Sequence, residues 1–211
     1  MKTLFKLIEE FGTSGNEALV RNIIAKEIKP YVDDLITDKL GNLIAHKKGK
    51  SPRLMMAAHM DEIGLMIKNI DARGRIYFSN VGGIEPIVLI GHQVHLNTKK
   101  GKIHGVITTE EVSNDFTIKN LPTISDLFVD TGLSRKDLIK IAVKPGDYLL
   151  LEHKIHHYLG NNNLIAGKAL DDRIGCYILV ELIKQLKNVK NEIYFVFTVQ
   201  EEIGLYGAKT S

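Results

Sequence analysis

The sequence predicts an α/β fold: a layered domain with a mostly parallel sheet, interrupted by a small β-barrel-like module. Three observations lead there. Helical periodicity runs through residues 4–28. A long amphipathic segment, Asp171–Lys187, leads into an uninterrupted apolar segment, Glu192–Val199, which is half of a βαβ unit. Between these ends, residues 69–159 lose helical periodicity and break into short β-branched runs separated by Gly and Pro.

In order along the chain, Leu4, Leu7, Ile8 and Phe11 follow the i, i+3, i+4, i+7 spacing of a helix face. Gly12-Thr13-Ser14-Gly15-Asn16 ends that helix and offers a cap for the next, whose core face is Val20, Ile23, Ile24 and Ile28. Asp34–Thr37 and Leu43–His46 form a hairpin around Gly41-Asn42. The run Leu54–Ala58 is continuously apolar, which predicts a strand buried on both faces. In the β-rich block, Ile87–Ile90, Gln93–Leu96, Gly105–Thr108 and Tyr148–Leu151 read as strands, and Lys144-Pro145-Gly146-Asp147 reads as a turn. Ser134 caps a short helix over Ser134–Ile141. In Asp171–Lys187 a broad apolar face combines Ile174, Ile178 and Leu182 with Leu179, Ile183 and Leu186. This divides the chain into residues 1–68 and 160–211, two parts of one α/β domain, with 69–159 inserted between them.

Bulk composition narrows the function. At 211 residues, with 44% hydrophobic and 25% charged residues, the chain is an ordinary globular one. A net charge of +3 is mild, and the Lys and Arg residues are scattered. The basic clusters at His46-Lys47-Lys48 and Lys99–Lys102 lack aromatic interleaving, so they read as solvated loops and no nucleic-acid partner is expected. The single Cys176 rules out an intrachain disulfide and fits a reducing cytoplasm. It lies in the apolar helix pattern, as a small buried hydrophobe would. No apolar run approaches the ~20 residues that span a bilayer, and the opening MKTLFKLIEEFG is amphipathic, unlike a signal peptide. The expectation is a soluble cytoplasmic protein with no membrane partner.

Chemistry concentrates at the ends of three hydrophobic segments. In His59-Met60-Asp61 the side chains two apart point the same way on a strand. His59 can then bind a metal while Asp61 fixes its tautomer, although an H-x-D alone fits a structural histidine beside a surface aspartate better. Asp171-Asp172 precedes a helix, where an acid serves either as N-cap or as a carboxylate bridging two metals. Glu201-Glu202 closes the strand Glu192–Val199, and open α/β sheets bind ligands at the carboxyl ends of their strands. Two adjacent carboxylates repel unless a cation neutralises one of them. One glutamate as ligand beside one as general base satisfies that condition. All three segments would have to be coincidental at once for the structural readings to hold. Zinc, cobalt or manganese accepts such a donor set. No H-E-x-x-H, Walker loop or G-x-S-x-G is present. The histidines of Gly91-His92-Gln93-Val94-His95 have no neighbouring carboxylate in sequence, and His156-His157 is equally unsupported.

Taken together, GTSGNE (Gly12–Glu17), AAHMDEIGLMI (Ala57–Ile67), VGGI (Val81–Ile84), KPGD (Lys144–Asp147), GKALDDRIGC (Gly167–Cys176) and TVQEEIGLYGA (Thr198–Ala208) resemble the glutamyl, deblocking and tetrahedral aminopeptidases. These are dimetal exopeptidases, and the matching segments cover nearly the whole chain in order. The resemblance implies a phosphorylase/hydrolase-like catalytic domain carrying an inserted dimerisation module. It implies two divalent metals, zinc or cobalt, with His59 on one, Asp171 bridging and Glu202 on the second. Glu201 would be the general base and Asp61 the support of His59. The partners it implies are a peptide substrate and copies of the chain, as dimers building a larger assembly.

The family pattern also continues beyond position 211 with a further Asp and a final His ligand. The expectation is therefore an aminopeptidase incomplete in this chain. It would be a fragment, one half of a split enzyme completed by a second chain supplying that Asp and His, or a degenerate homologue acting as an oligomerisation or interaction protein. Carbohydrate hydrolysis by the paired carboxylates is a weaker reading. It explains neither His59 nor the absence of Trp.

Overall fold

A computed structural model describes residues 1–98, 100–110, 120–152 and 157–211. Lys99 and His156 fall outside them. Two compact units divide the chain, Met1–Glu62 with His153–Ser211, and Ile63–Glu152.

The first unit is α/β. Its helices are α1 (Lys2–Glu9), α2 (Ala18–Ile28) and α5 (Leu170–Gln185). Its sheet contains β1 (Asp34–Thr37), β2 (Leu43–Lys47), β3 (Lys50–His59) and β12 (Asn191–Thr198), in the order β1-β2-β12-β3. A separate hairpin joins β10 (His157–Leu159) to β11 (Leu164–Ala166). The apolar spacing read from sequence is what the helices bury: Leu4, Leu7 and Ile8 on α1, and Val20, Ile24 and Ile28 on α2. These pack into one core with Cys176, Val180 and Ile183 of α5 and Phe195 and Phe197 of β12. Each fully buried phenylalanine contributes about 1.5–3 kcal/mol.

Two expectations about this sheet are corrected. The sheet is mixed: β3–β12 is parallel, while β1–β2 and β2–β12 are antiparallel. The Gly41-Asn42 turn folds β2 back on β1, and β12 then pairs with β2 in the opposite direction. In addition, β3 is not buried on both faces. It is the sheet edge among the described residues, with Leu54 45% and Met55 63% exposed.

The second unit is a closed six-stranded barrel in the order β4-β5-β8-β7-β6-β9. Its strands are β4 (Gly64–Ile70), β5 (Ile76–Val81), β6 (Gln93–Thr98), β7 (Gly101–Thr109), β8 (Leu127–Asp130) and β9 (Tyr148–Leu151). Alternate residues fill the interior, among them Leu65, Ile67, Ile76, Phe78, Val94, Leu96, Ile107 and Leu149. β4 begins at Gly64, so the barrel takes up residues upstream of Asn69. Two short helices complete the unit, α3 (Pro86–Leu89) and α4 (Arg135–Lys140). Ser134 caps α4 by accepting from the Asp137 backbone N–H at 3.2 Å. Ile87–Ile90, expected as a strand, is instead largely α3. Pro86 opens it at the first helical position, where the missing N–H costs nothing, and Gly91 at φ 83° turns the chain out. No helix among the described residues is long and apolar enough to cross a membrane.

Candidate metal centre

Parallel pairing of β3 with β12 puts His59 opposite Thr198, so both strands end at the same edge of the sheet. Met60 N–H donates to the Thr198 carbonyl at 2.7 Å, extending the register one step. Beyond β12 the chain must turn sharply. Gln200 does this at φ 55°, a left-handed conformation that non-glycine residues adopt at a cost and that collects at functional sites. Ala169, at φ 53°, makes the matching turn before Asp171.

Asp61 organises the loop after β12. Its carboxylate is fully buried and accepts the backbone N–H groups of Glu201 and Glu202, each at 3.0 Å, together with the Ser14 hydroxyl. Burial pushes the Asp61 pKa up, but these donors and His59 outweigh it and hold the pKa below the usual carboxylate range. His59 Nδ1 lies 3.1 Å from the Asp61 carbonyl oxygen and 3.5 Å from its carboxylate. The backbone of Asp61 is thus the nearer partner of the imidazole, and its carboxylate chiefly anchors the Glu201-Glu202 loop.

On its other side, His59 Nε2 is 3.1 Å from Asp171 Oδ1 and 3.9 Å from Glu201 Oε2. His59, Glu201 and Glu202 each place one potential ligand atom within 4.8 Å of the others. Burial lowers the His59 pKa, but Asp61, Asp171 and Glu201 together overcome it and raise the group to about 9. Burial also raises Glu202; Glu201, Asp61 and Asp171 add to this against the opposing pull of His59. One imidazole ringed by carboxylates is a donor set that fits a divalent cation of the zinc class.

The two adjacent aspartates separate by role. Regular helical geometry in α5 starts only after Asp172. Asp172 accepts from Gly175 N–H at 3.1 Å, the third residue of that regular helix, and from His59 N–H at 3.3 Å. It is the helix cap. The Asp171 side chain is 90% exposed and pairs with His59.

Several supporting residues had weak sequence signals. Arg173 is fully buried and donates to the carbonyls of Leu7, Glu10, Gly12 and Met60. Its guanidinium lies 3.5 Å from Glu62, which also binds Lys168 at 2.7 Å and accepts Gly12 N–H at 3.0 Å. Burial lowers the Lys168 pKa despite Glu62. Glu17 accepts from Gly15 and Gln200 N–H groups, tying the Gly12–Glu17 loop to the turn before Glu201. Asn42 is fully buried; it accepts Val199 N–H and donates to the Gly207 carbonyl. Gly207 must be glycine, because a Cβ there would collide with Val199 O and Asn42 Oδ1. Cys176 is buried, donates to the His59 carbonyl at 3.1 Å, and burial pushes its thiol far up, so it is no nucleophile.

An α/β unit whose parallel strand pair ends in clustered imidazole and carboxylates, linked to a closed barrel, is an architecture shared with known proteins. Residues 41–211 match the M42 glutamyl aminopeptidase family, and the chain belongs to it. A lysyl aminopeptidase of Pyrococcus furiosus is 36% identical over 211 residues, covering 98% of this chain and 60% of the relative. A TET aminopeptidase from a marine sediment thaumarchaeon superposes with a TM-score of 0.92 at 35% identity, over 100% of this chain and 61% of that one. A TET1 peptidase of Pyrococcus horikoshii, which assembles into a tetrahedron or a large octahedral shell, gives 0.88 at 37% identity, over 99% and 63%. The chain therefore spans about three-fifths of the length of the relatives it matches.

Proposed function

We propose that this chain carries the metal-binding heart of a metal-dependent aminopeptidase that removes N-terminal residues from peptides. The observation that supports this most is the convergence of His59, Asp171, Glu201 and Glu202 at one sheet edge, in a family of aminopeptidases. His59 would hold one divalent cation and Glu202 a second, with Asp171 between them. The Asp172 side chain is committed to the helix cap, which favours Asp171 for that place. Zinc and cobalt both suit the donors. When bound, such a metal pair would acidify a shared water and polarise a peptide carbonyl.

The protein's own groups then do the proton work. Glu201, with its carboxylate beside His59 and its backbone clamped by Asp61, takes the proton from water and returns it to the leaving amine. Fixing the N–H groups of Glu201 and Glu202 on one buried carboxylate keeps base and ligand in register. The barrel would serve as a dimerisation module building a larger assembly in the cytoplasm, as the assembly described for the TET1 peptidase suggests.

Exposed Leu54 and Met55 on edge strand β3, with exposed Ile174 and Ile178 on α5, support further sheet-forming residues packing there. These would come from the same polypeptide or from a second chain that supplies an additional Asp and His. Metal content and hydrolysis of aminoacyl-p-nitroanilides, with and without any neighbouring gene product, test the proposal. Glu201→Gln should retain metal and abolish turnover; unchanged turnover would remove Glu201 from its role. Metal-free, inactive assemblies under every condition would favour an interaction protein instead.

A further inference from the structure

Two histidines and a glutamate come together within the barrel unit. In the pairing of β6 with β7, His95 stands directly across from His104. Val94 and Leu96 point into the barrel core, so His95 between them faces outward. β9 pairs with the other edge of β6, placing Leu150 opposite His95. Glu152, two residues further on, therefore takes the diagonal position on that outer face. Its Oε1 lies 2.6 Å from His104 Nδ1 and 3.3 Å from His95 Nδ1.

The cluster is incompletely satisfied. His95 Nδ1 is buried and lacks a well-formed hydrogen bond, its nearest polar contact being Glu152 Oε1 at 3.3 Å, an oxygen already held closer by His104. A buried polar atom without a partner needs an explanation, and a cation-binding role is a standard one. Burial and the nearby charges of Lys102 and His104 lower the His95 pKa against the pull of Glu152.

We propose that His95, His104 and Glu152 form a binding site for a zinc-class divalent cation on the outer face of the barrel. Two imidazoles and one carboxylate suit zinc, cobalt or nickel and disfavour magnesium and calcium, which prefer all-oxygen shells. Three protein ligands leave room for water. The cation would take the place of the proton between His104 Nδ1 and Glu152, the neutral ring keeping its N–H on Nε2 and any extra proton passing to solvent, and a side-chain rotation would bring His95 Nδ1 onto it. Bound there, it would staple β6, β7 and β9, stabilising the barrel by mass action. The Lys102 ammonium opposes the cation and sets a moderate affinity.

The test uses the full chain and zinc alone. Calorimetry should find one more zinc equivalent in the wild type than in His104→Ala, whose side chain is 65% exposed and whose loss leaves the core intact. Glu152→Gln should weaken that same site at least tenfold. Long-range proton–nitrogen spectra of the histidine rings should show the His95 signal shifting with zinc and not with magnesium. Equal zinc equivalents and affinities in all three proteins would overturn the proposal. So would a wild-type His95 ring signal that zinc does not move, however the variants fold.

Discussion

Replacing Asp61 by Asn isolates the charge that the first unit buries beneath its candidate metal centre. The two Asp61 oxygens between them accept the Glu201 and Glu202 N–H groups and the Ser14 hydroxyl. Asparagine supplies one oxygen and turns an NH₂ toward one of those backbone donors, leaving it unpaired. A hydrogen bond to a charged group is worth about 1.5–3 kcal/mol, and an orphaned buried donor costs about 1–3 kcal/mol. These overlap, since both describe the same lost pairing, so the expected destabilisation is about 2–4 kcal/mol.

Urea unfolding of the metal-free protein reads this as a lower midpoint at unchanged slope. The pH dependence gives a second check with a definite sign. The folded-state pKa of Asp61 is depressed, so its contribution is complete above the unfolded value of about 3.9 and is lost as pH falls through the folded value. The gap between wild type and Asp61→Asn should therefore be widest between about pH 4 and 6.5, narrow in acid as the carboxylate is protonated, and narrow again above about 6.5 as the His59 charge that Asp61 supports is lost. Equal midpoints, or a gap that persists unchanged in acid, would show that the carboxylate does not clamp the loop.

In metal-free protein the His59 ring should titrate near pH 9, as followed by NMR; its stabilisation is complete below about pH 6.5 and is lost as pH rises through about 9. A metal must displace that proton, so apparent cobalt affinity should climb roughly tenfold per pH unit from about 7 to 9; a flat profile contradicts the arrangement. Asp171→Ala should leave stability within about 0.5 kcal/mol and weaken metal binding. Asp172→Ala should do the reverse, costing about 1 kcal/mol through the lost helix cap. Arg173→Leu should destabilise by about 3–5 kcal/mol in chemical denaturation, because it breaks a buried pair with Glu62 and strips four carbonyls of their donor.

Local elements were legible where a local rule sets them. The spacing of Leu4, Leu7 and Ile8 marked α1, Gly41-Asn42 marked the hairpin, and Ser134 marked the cap of α4. Pairing partners were not, because an apolar run such as Leu54–Ala58 reads the same at a sheet edge as at its centre. Ile87–Ile90 misled through its β-branched content, which the start signal at Pro86 overrode. At the candidate centre, the residue types and their places at element ends were visible in sequence, as was the choice between capping and ligation for Asp171 and Asp172. That choice needed the backbone geometry of α5. The N–H donors that Asp61 gathers carry no sequence signal, since every residue but proline has one. Glu152 reaches His104 across 48 residues, and only the closure of the barrel brings it there.

Anomalous diffraction from crystals of the cobalt-loaded protein tests the central claim most directly. Two cobalt peaks are expected, one within bonding reach of His59 Nε2 and the other of the Glu202 carboxylate, with the Asp171 carboxylate in reach of both. A map with no peak at those groups, from crystals that take up cobalt, would contradict the claim.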